Sequence, residues 1–422
     1  MSKIRSTFFN LYRLANKVGF FHLLSANMLI QITSFGGQIF LTRILSVEDI
    51  GTIKVMQSYL NVLVILATFG LNTSVLKLCS ENVSEEEKKS MFSFSFFITL
   101  FVSLILILGV ISLYHLSIIN VDYLFTIYIF LIPCLSLTSI VIAYLQSQQK
   151  IKTISSVQSL SRIFVVVLST LFAFWTGITG YINSLVILNF CVFILVFIYI
   201  KKEISLKYFF NVTKSKIRKI FNVSIYSFGT NLFIVLLANL NIIIASLLNV
   251  NQNTIGLFSI AQLIITVVLL IPSTLGQIMI PKISKVSHDK VQVKKIFRKY
   301  SVINKILSIA VPIFIGLIAP FIIPILFGEN YSKSVLFLEI LLFGYVFRSL
   351  YAPIGNTLLS VGCSNIIFYM NLTSVILNIL LNYFLILKFG MYGAAIANTI
   401  TYFISFLIYN YCFKRLYLNG KY

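Results

Sequence analysis

The sequence predicts an all-α integral membrane protein with 12 transmembrane helices, arranged as two six-helix lobes around a central cavity. Three observations support this fold class. The 422-residue chain contains about a dozen long apolar runs, its basic residues fall overwhelmingly into every second gap between them, and two short patterns recur in the second half. Composition agrees, because 59% of the residues are hydrophobic and only 10% are charged, which excludes a soluble core.

Each apolar run is long enough for one membrane-spanning helix, which needs about 20 residues to cross roughly 30 Å of hydrocarbon. Polar or turn-forming segments separate the runs. In order, they are SVEDIG, SENVSEEEKK, the residues around Asn120, QSQQKIK, GITG, the basic residues 201–220, NVNQN, the basic residues 281–301, GENYSK, VGCSN and LKFG. The predicted spans are residues 18–42, 53–77, 91–113, 118–145, 154–175, 178–200, 221–248, 254–280, 302–327, 335–360, 365–387 and 392–413.

The Lys and Arg residues predict the orientation of the chain. Of these 33 residues, 27 fall in the termini, the even-numbered loops or the span ends beside them, 4 fall in the odd-numbered loops or the span ends beside them, and Arg162 and Arg348 lie deeper inside predicted spans. Cytoplasmic loops of membrane proteins carry the excess of basic residues. Both termini and the even-numbered loops are therefore predicted to be cytoplasmic.

The net charge of +22 predicts anionic phospholipids of the inner leaflet as partners. Nucleic acid is excluded, because the charges lie in short loops beside the spans and no basic domain interleaved with aromatic residues is present. Residues 1–17 are expected to form a cytoplasmic interfacial segment, since they alternate basic with aromatic and aliphatic residues. The first apolar run is too long for a cleavable signal peptide, so it is predicted to be retained.

An internal repeat predicts the two lobes. SVEDIGTIKVMQS resembles VNQNTIGLFSIAQL, with Gly51 matching Gly256 at a displacement of 205 residues. GITGYINS resembles GMYGAAIANT, with Gly177 matching Gly390 at a displacement of 213. Each match relates spans six apart, so the halves share one orientation and are related by a pseudo-twofold axis along the membrane normal.

The predicted domains follow from this repeat. They are the interfacial segment 1–17, an N-lobe at 18–205 with spans one to six, a cytoplasmic linker at 206–220, and a C-lobe at 221–422 with spans seven to twelve. Two such lobes are expected to enclose a cavity that faces either side of the membrane by rocking.

Polar residues at helical spacing mark the faces of spans that turn toward protein or water. Stripes of this kind occur on spans from both halves, and they favour a shared wet cavity. Interhelical hydrogen bonds that hold the bundle together are the alternative role. The candidate cavity-lining residues are Asn27, Gln31, Gln38, Asn61, Gln158, Gln262, Gln277 and Asn378.

Basic residues within or beside the spans predict a cationic cavity. Arg162 and Arg348 are the strongest candidates, because an Arg at the centre of a span costs about 2.5–3.5 kcal/mol on insertion scales and needs water, a partner or an anionic ligand. Guanidinium groups bind phosphate oxygens bidentately, so the expected cargo carries a phosphate or pyrophosphate group. Arg43 and Lys54 are further candidates that could instead extend to the interface, and Lys77 could serve orientation alone.

The sequence offers no site for catalysis, a cofactor or a metal. Paired carboxylates within one span, Ser-His-Asp and Cys-His sets, and both GxxxxGK[ST] and GxGxxG are absent. The five cysteines lack CxxC spacing. The prediction is a transport protein and not an enzyme, driven by an ion gradient or by the gradient of its cargo.

Three segments resemble the polysaccharide-exporter branch of the multidrug/oligosaccharidyl-lipid/polysaccharide flippase superfamily, and specifically bacterial O-antigen flippases. They are LTRILSVEDIGTIKVMQS (41–58), NTIGLFSIAQLIITVVLLIPSTLGQIMIPKIS (253–284) and FGMYGAAIANTI (389–400). The resemblance implies a protein of the bacterial inner membrane that moves an undecaprenyl-pyrophosphate-linked oligosaccharide to the outer leaflet by alternating access. It also implies that Arg43 and Lys77 stand at positions where the family has basic residues.

Three functions compete at this point. A lipid-linked oligosaccharide flippase explains the cationic cavity; glycan polymerase and chain-length proteins would be its further partners, and Glu339 is a candidate for coupling to protons or sodium. An ion-coupled drug antiporter should need acidic residues within the spans, where only Glu339 qualifies. A membrane glycan polymerase or ligase would place its working residues in a large outer loop, which the chain lacks.

Overall fold

The computed structural model describes residues 20–116 and 122–418. The predicted interfacial segment 1–17 lies outside this range. The helices are α1 Phe20–Ile44, α2 Val47–Thr68, α3 Leu71–Leu78, α4 Glu85–His115, α5 Tyr123–Tyr128, α6 Leu131–Ser147, α7 Ile151–Ile200, α8 Leu206–Phe210, α9 Lys214–Leu247, α10 Gln252–Val268, α11 Leu270–Ser284, α12 Lys290–Phe327, α13 Ser334–Ser360, α14 Ser364–Phe389 and α15 Met391–Cys412. A 3₁₀ turn at Glu329–Tyr331 precedes α13, and a π-helical turn at Phe413–Leu418 follows α15.

Ten helical stretches of the described residues are long and apolar enough to cross a membrane. One of them, Thr153–Ile200, would be about 72 Å long at 1.5 Å per residue, more than twice the thickness of the hydrocarbon. The backbone of α7 leaves the helical region at Thr176 and Gly177, which divides this stretch into two spans, as predicted. With the 25-residue α1, the pattern is consistent with the 12 predicted spans and confirms the all-helical membrane fold.

Side-chain caps fix where several helices begin. Ser84 accepts a hydrogen bond from the backbone N–H of Glu87 at the start of α4, and Asn251 accepts one from Asn253 at the start of α10. Asp289 caps α12 through both Val291 and Gln292, at 2.9 and 3.1 Å. Such caps satisfy backbone donors that the first turn of a helix leaves without intrahelical partners.

The helices form two compact units. The first contains the described residues up to Leu45 and Leu60–Leu232, and the second contains Ser46–Tyr59 and the described residues from Phe233 onward. Helices α2 and α9 therefore each contribute to both units. The lobes at 18–205 and 221–422, as bodies that rock about a cavity, stay a prediction.

The first repeat match is a reciprocal contact within the second unit. A Cβ added to Gly51 would collide with the backbone oxygen of Gln252, and one added to Gly256 would collide with the backbone oxygen of Val47. Val47 and Gln252 are themselves separated by 205 residues, the displacement that relates the two glycines. The first turns of α2 and α10 thus pack on each other through equivalent atoms, and this contact places Ser46–Tyr59 in the second unit.

The second repeat match is a shared backbone conformation. Gly177 has φ 66° and ψ −148°, and Gly390 has φ 57° and ψ −140°. Both values lie in a region that only glycine adopts readily. Each glycine lies at the break between two consecutive spans, so the same conformation reverses the chain in both halves.

At the end predicted to be cytoplasmic, the first unit is held by aromatic packing and by ion pairs. The rings of Phe92 and Tyr144 stack with their centroids 4.1 Å apart. Glu203, just after α7, forms an ion pair with Lys89 of α4 at 3.2 Å. Lys216 Nζ lies 2.7 Å from Glu87 Oε1, which ties the start of α9 to α4. The predicted linker 206–220 therefore packs against the first unit and does not hang free of it.

Hydrogen bonds between buried polar side chains join helices of the second unit. Asn304 of α12 donates to the backbone oxygen of Ser349 at 2.6 Å, and Ser308 donates to Ser349 Oγ at 2.7 Å. The hydroxyls of Ser374 on α14 and Ser405 on α15 lie 2.8 Å apart. Polar side chains commonly link helices in this way where the surrounding solvent is lipid.

Candidate anion-binding sites

Arg162 lies in the first half of α7, on the face that packs against α1. Its Nε donates a hydrogen bond to Ser34 Oγ at 2.9 Å, and Ser34 donates to the backbone oxygen of Ile30 at 2.6 Å. Tyr128 and Tyr181 lie within electrostatic range of the guanidinium group. The Arg162 side chain is exposed, and no carboxylate in the described part of the chain lies within ion-pair distance of it.

This contact joins two polar stripes that the sequence predicts. Ser34 lies on the first span between the predicted residues Gln31 and Gln38, at helical spacing from both, and Arg162 lies one turn after the predicted Gln158 on the fifth span. The two stripes meet because α1 packs along α7 within the first unit. Residues from distant parts of the sequence thus build one local site around the guanidinium group.

Arg348 lies in α13 of the second unit and is half-buried. Its Nη1 donates to the hydroxyl of Tyr402 on α15 at 2.9 Å, and the guanidinium carbon lies 5.2 Å from the centre of the Tyr402 ring. Tyr351, one turn further along α13, lies within electrostatic range. The Tyr351 ring packs on Tyr409, whose hydroxyl donates to Asn371 Oδ1 at 3.0 Å. Three tyrosines thus surround or support this guanidinium group.

The partners of Arg162 and Arg348 are neutral hydroxyl groups. Glu339, the acidic residue predicted within the same span as Arg348, is exposed and forms no ion pair in the described residues. Hydroxyl groups orient a guanidinium group without neutralising its charge. Each site therefore retains a full positive charge that can accept an anion, with donors left for phosphate oxygens.

The other predicted cations have different surroundings. Arg43 lies in the last turn of α1 in the first unit and is exposed, whereas Lys54 lies in the part of α2 that belongs to the second unit. Lys54 Nζ donates to Gln57 Oε1 at 3.1 Å, and both Arg43 and Lys54 take part in further interactions. Lys77 lies in the last turn of α3 and is exposed. Their roles in binding stay predictions.

The predicted polar residues divide between packing and open surfaces. Asn378 is fully buried: its Nδ2 lies 3.2 Å from both Asn398 Oδ1 and Thr401 Oγ1, so this amide links α14 to α15. Gln262 donates to the backbone oxygen of Ala238 at 2.8 Å. The buried Oε1 of Gln38 has no hydrogen-bond partner in the described residues. The remaining members are half-buried or exposed, except that the side chain of Asn27 lies outside the described part: Gln31, Asn61, Gln158 and Gln277.

Sequence patterns did not identify the tyrosines at these sites. Tyr402 and Tyr351 were not distinguished from the 22 tyrosines of an aromatic-rich chain, and neither were Tyr128 and Tyr181. One signal was available for Tyr402. It lies one turn after Asn398 on the polar face of α15, seven residues before Tyr409, and both tyrosines carry a hydroxyl that a lipid-facing position would leave without a partner.

The described residues contain no group of three or more His, Cys, Asp or Glu side chains that could hold a metal ion. The free cysteines Cys79 and Cys134 are buried, and Cys191 is exposed. Charge at the two sites therefore comes from the guanidinium groups themselves.

Many membrane-spanning helices, with cations held inside the spans by neutral hydroxyls, define a multi-pass membrane protein. Solved structures confirm the fold. A multidrug resistance MATE family transporter of the MOP superfamily, in an inward-facing conformation, matches 95% of this chain and 99% of its own, with a TM-score of 0.74 at 13% identity. The lipid II flippase MurJ, in an inward closed conformation, matches 92% of this chain and 87% of its own, with a TM-score of 0.73 at 18% identity.

The chain belongs to the polysaccharide biosynthesis protein family, whose sequence profile matches residues 40–336. A capsular polysaccharide biosynthesis protein of Staphylococcus aureus, CapF, is 25% identical over 222 residues, which are 52% of this chain and 56% of that protein. A candidate O-antigen transporter of Shigella flexneri is 28% identical over 149 residues, 35% of each chain. The family resemblance drawn from residues 41–58 and 253–284 is confirmed, since both segments lie within the matched range, whereas residues 389–400 lie outside it.

The matches with these two relatives span about a third to a half of each relative's length. Where the names of the relatives and structural neighbours state an activity, that activity is transport or flipping and not an enzymatic reaction. This agrees with the prediction that the chain is not an enzyme.

Proposed function

We propose that this protein is a flippase that moves an undecaprenyl-pyrophosphate-linked oligosaccharide of the O-antigen type from the cytoplasmic to the outer leaflet by alternating access. One observation carries the proposal: two guanidinium groups inside membrane-spanning helices are held by neutral hydroxyls, and no carboxylate of the described residues lies within ion-pair distance of either. Membership of the polysaccharide biosynthesis protein family supports a glycan as part of the cargo.

The energetics of a charge in a membrane support an anionic cargo. An Arg at the centre of a span costs about 2.5–3.5 kcal/mol on insertion scales. A hydroxyl partner recovers part of this cost, whereas a bound pyrophosphate would supply charge-assisted hydrogen bonds and neutralise the guanidinium group. Binding an anion is therefore more favourable at these sites than binding a cation.

The setting proposed for this activity is the bacterial inner membrane, with both termini in the cytoplasm. The excess of basic residues in one set of loops supports this orientation. Anionic phospholipids are proposed as lipid partners, and glycan polymerase and chain-length proteins as later recipients of the cargo. Glu339 is proposed as the coupling residue if transport uses protons or sodium, since it is an exposed carboxyl within a predicted span.

Two experiments test the function. In a strain that lacks the protein, lipid intermediates with complete oligosaccharide units should accumulate on the cytoplasmic leaflet. In the complemented strain, Arg162→Ala and Arg348→Ala should each lower surface glycan at least tenfold while membrane insertion is unchanged, and Lys at either position should restore only part of it. Wild-type export by both Ala variants would refute the role of the cations.

Arg415→Ala is the matched control. Arg415 Nη1 also donates to a tyrosine hydroxyl, that of Tyr411 at 2.6 Å, and its guanidinium carbon lies 5.8 Å from that ring. This pair is exposed and lies at the end of the last helix. Export should be unchanged by this substitution, because the proposal assigns binding to cations inside the spans.

An ion-coupled small-molecule antiporter of the same superfamily is the alternative, since the MATE transporter shares the fold. A cationic drug would be repelled by the two positive sites. Within the spans of the described residues, the acidic residue away from the helix ends that could attract it is Glu339. Normal glycan export in the deletion strain, combined with increased sensitivity to cationic drugs, would favour the antiporter. A glycan polymerase or ligase would instead leave translocated but unpolymerised or unattached units on the outer leaflet.

A further inference from the structure

An apolar groove of about 790 Å³ runs along the surface of the first unit, away from the polar face of α7. Its floor is formed by buried side chains of α6 and α7, including Val141, Leu145 and Ile154, and its rims by exposed ones, including Leu160 and Leu195. Ser161 is the polar residue that the first half of α7 contributes to the lining of the groove. Its hydroxyl already donates a hydrogen bond to the backbone oxygen of Gln158. Apart from the Tyr199 hydroxyl at one end, the groove thus offers a ligand only apolar contact.

The groove is long enough to hold a hydrocarbon chain. Along the first half of α7 it extends from Ile154 to Leu168, which is about 21 Å at 1.5 Å per residue. Ile154 is also the first residue of the predicted span, so the groove begins at the edge of the hydrocarbon. One leaflet accounts for about 15 Å, half of the 30 Å core. The groove is therefore longer than the region that the acyl tail of a phospholipid occupies in its own leaflet.

Positive charge lies at one end of the groove. Tyr199 lines that end, and Lys201 and Lys202 lie two and three residues later, just past the end of α7. Both lysines are exposed, and neither forms an ion pair in the residues that the structure describes. The nearby carboxylate of Glu203 is occupied by Lys89 at 3.2 Å. An anionic headgroup whose tail lay in the groove would meet these two lysines.

We infer that this groove binds the polyisoprenoid chain of the lipid-linked glycan, with the diphosphate at Lys201 and Lys202, before the glycan is moved. The inference rests on the proposed function for the identity of the lipid. It adds a tail site, on the outside of the first unit, to the headgroup sites at the two guanidinium groups. An isoprenoid chain fits better than a phospholipid tail because the groove extends beyond one leaflet.

The position of Arg162 indicates that two faces of α7 have different roles, one facing the groove and one carrying the cation. At 100° per residue, Arg162 points about 100° away from Ser161, which faces the groove. The same helix therefore presents a cation on one face and an apolar groove on another. A lipid with a charged head and a long tail could contact both faces at once.

Photo-crosslinking of the full-length protein tests the site. The protein is reconstituted in phosphatidylcholine vesicles with undecaprenyl phosphate that carries a diazirine near the end of its tail, and labelled peptides are mapped by mass spectrometry. Labelling should fall on α6 and both halves of α7, and excess unlabelled undecaprenyl phosphate should reduce it at least fivefold. A phosphatidylglycerol probe with a diazirine on its acyl chain should label these peptides weakly and without competition by undecaprenyl phosphate.

Variants that fill the groove provide the controls. Leu195→Trp, alone or with Val157→Trp, should lower labelling by the undecaprenyl probe at least fivefold. Leu108→Trp on α4 should not, since Leu108 is an equally exposed lipid-facing position (64% against 68% for Leu195) outside the groove. The single Leu195 variant needs no repacking of the core, so loss of fold does not explain its result. Gln at both Lys201 and Lys202 should weaken capture of the phosphate probe but not of the corresponding alcohol.

Equal labelling by both probes, or full labelling of the Leu195 variants, would overturn the inference and make the groove ordinary contact with the bilayer. The result is separable from the proposed function, because crosslinking requires neither glycan nor transport. Groove labelling in a protein whose deletion leaves glycan export intact would refute the flippase and keep the tail site. Defective export together with unselective labelling would support the flippase and refute the tail site.

Discussion

Single side chains decide whether a charge inside the membrane can be used for binding. Arg348 retains its charge because Tyr402, its hydrogen-bond partner in the described residues, is neutral. The hydroxyl fixes the direction of the guanidinium group, while the ring below it provides a cation–π contact. These two contributions can be separated by substitution.

Tyr402→Phe removes the hydroxyl and keeps the ring. We expect transport to fall about tenfold, because a hydrogen bond to a charged group contributes about 1.5–3 kcal/mol and 1.4 kcal/mol corresponds to a factor of ten. Tyr402→Leu, which also removes the ring, should reduce transport further. Surface glycan and the rate of translocation in vesicles are the measurements. Tyr411→Phe, at the exposed Arg415 pair, is the control, and an equal loss there would assign the effect to general damage.

Asp289 makes the cap of α12 dependent on pH. Backbone N–H groups, first that of Gln292, bond to the carboxylate and lower the pKa of Asp289 below its usual value of about 3.9. The charged form is therefore favoured by folding. Its stabilisation is fully present above the usual pKa and is lost as the pH falls through the lowered value in the folded protein.

Hydrogen exchange should show this effect at the first turn of α12. Protection of the Val291 and Gln292 amides, corrected for intrinsic rates, should fall on acidification through the titration of Asp289. Asp289→Asn keeps an oxygen acceptor but cannot titrate, so its protection should be independent of pH in this range. The same acid-induced loss in the Asn variant would show that another group is responsible.

At the scale of helices, the contact between α2 and α10 depends on two missing Cβ atoms. Gly51→Ala and Gly256→Ala would each force a methyl group against a backbone oxygen that no rotamer change can move aside. Overpacking of this kind costs about 1–3 kcal/mol. The double variant should cost less than the two single variants combined, because the first substitution already separates the helices.

Thermal unfolding in detergent measures this prediction. Gly109→Ala on α4 is the control, since no atom lies within 4 Å of its added Cβ and it lies within a helix. That substitution should leave the protein unchanged or stabilise it by about 0.5–1 kcal/mol. Unfolding temperatures for the Gly51 and Gly256 variants equal to that of the Gly109 variant would refute the close contact.

The sequence could predict the helices because lipid imposes strong limits on length and composition. It located the break between the fifth and sixth spans, where Gly177 leaves the helical region. It could not predict that Ser46–Tyr59 would join the second unit, because that grouping depends on the fit of two backbones and not on any side chain. The partners Ser34 and Tyr402 were equally hidden, since each lies more than 50 residues from its arginine. Asn378 shows that a polar stripe alone does not distinguish residues that pack helices together from residues that line a cavity.

For the whole molecule, the distribution of basic residues predicts which loops face each side. Single cysteines at Glu81 and His288 should react with a membrane-impermeant maleimide only from the cytoplasmic side. Those at Lys333 and at Asp122, which caps α5 near the outer end of the fourth predicted span, should react only from the opposite side. The background is the protein with its five cysteines replaced. Sealed right-side-out and inverted vesicles give the two measurements. Reaction of Glu81→Cys and Lys333→Cys from the same side would contradict the predicted topology.

The paired glycines Gly51 and Gly256 have a consequence for how an internal repeat changes under mutation. A contact between backbone atoms does not depend on the identity of neighbouring side chains. Those side chains can therefore be substituted until the sequence similarity between the two halves is no longer detectable. The glycines cannot drift in this way, because any replacement adds the atom that the contact excludes. Glycines at these two equivalent positions should therefore persist longer than the other similarities between the two halves.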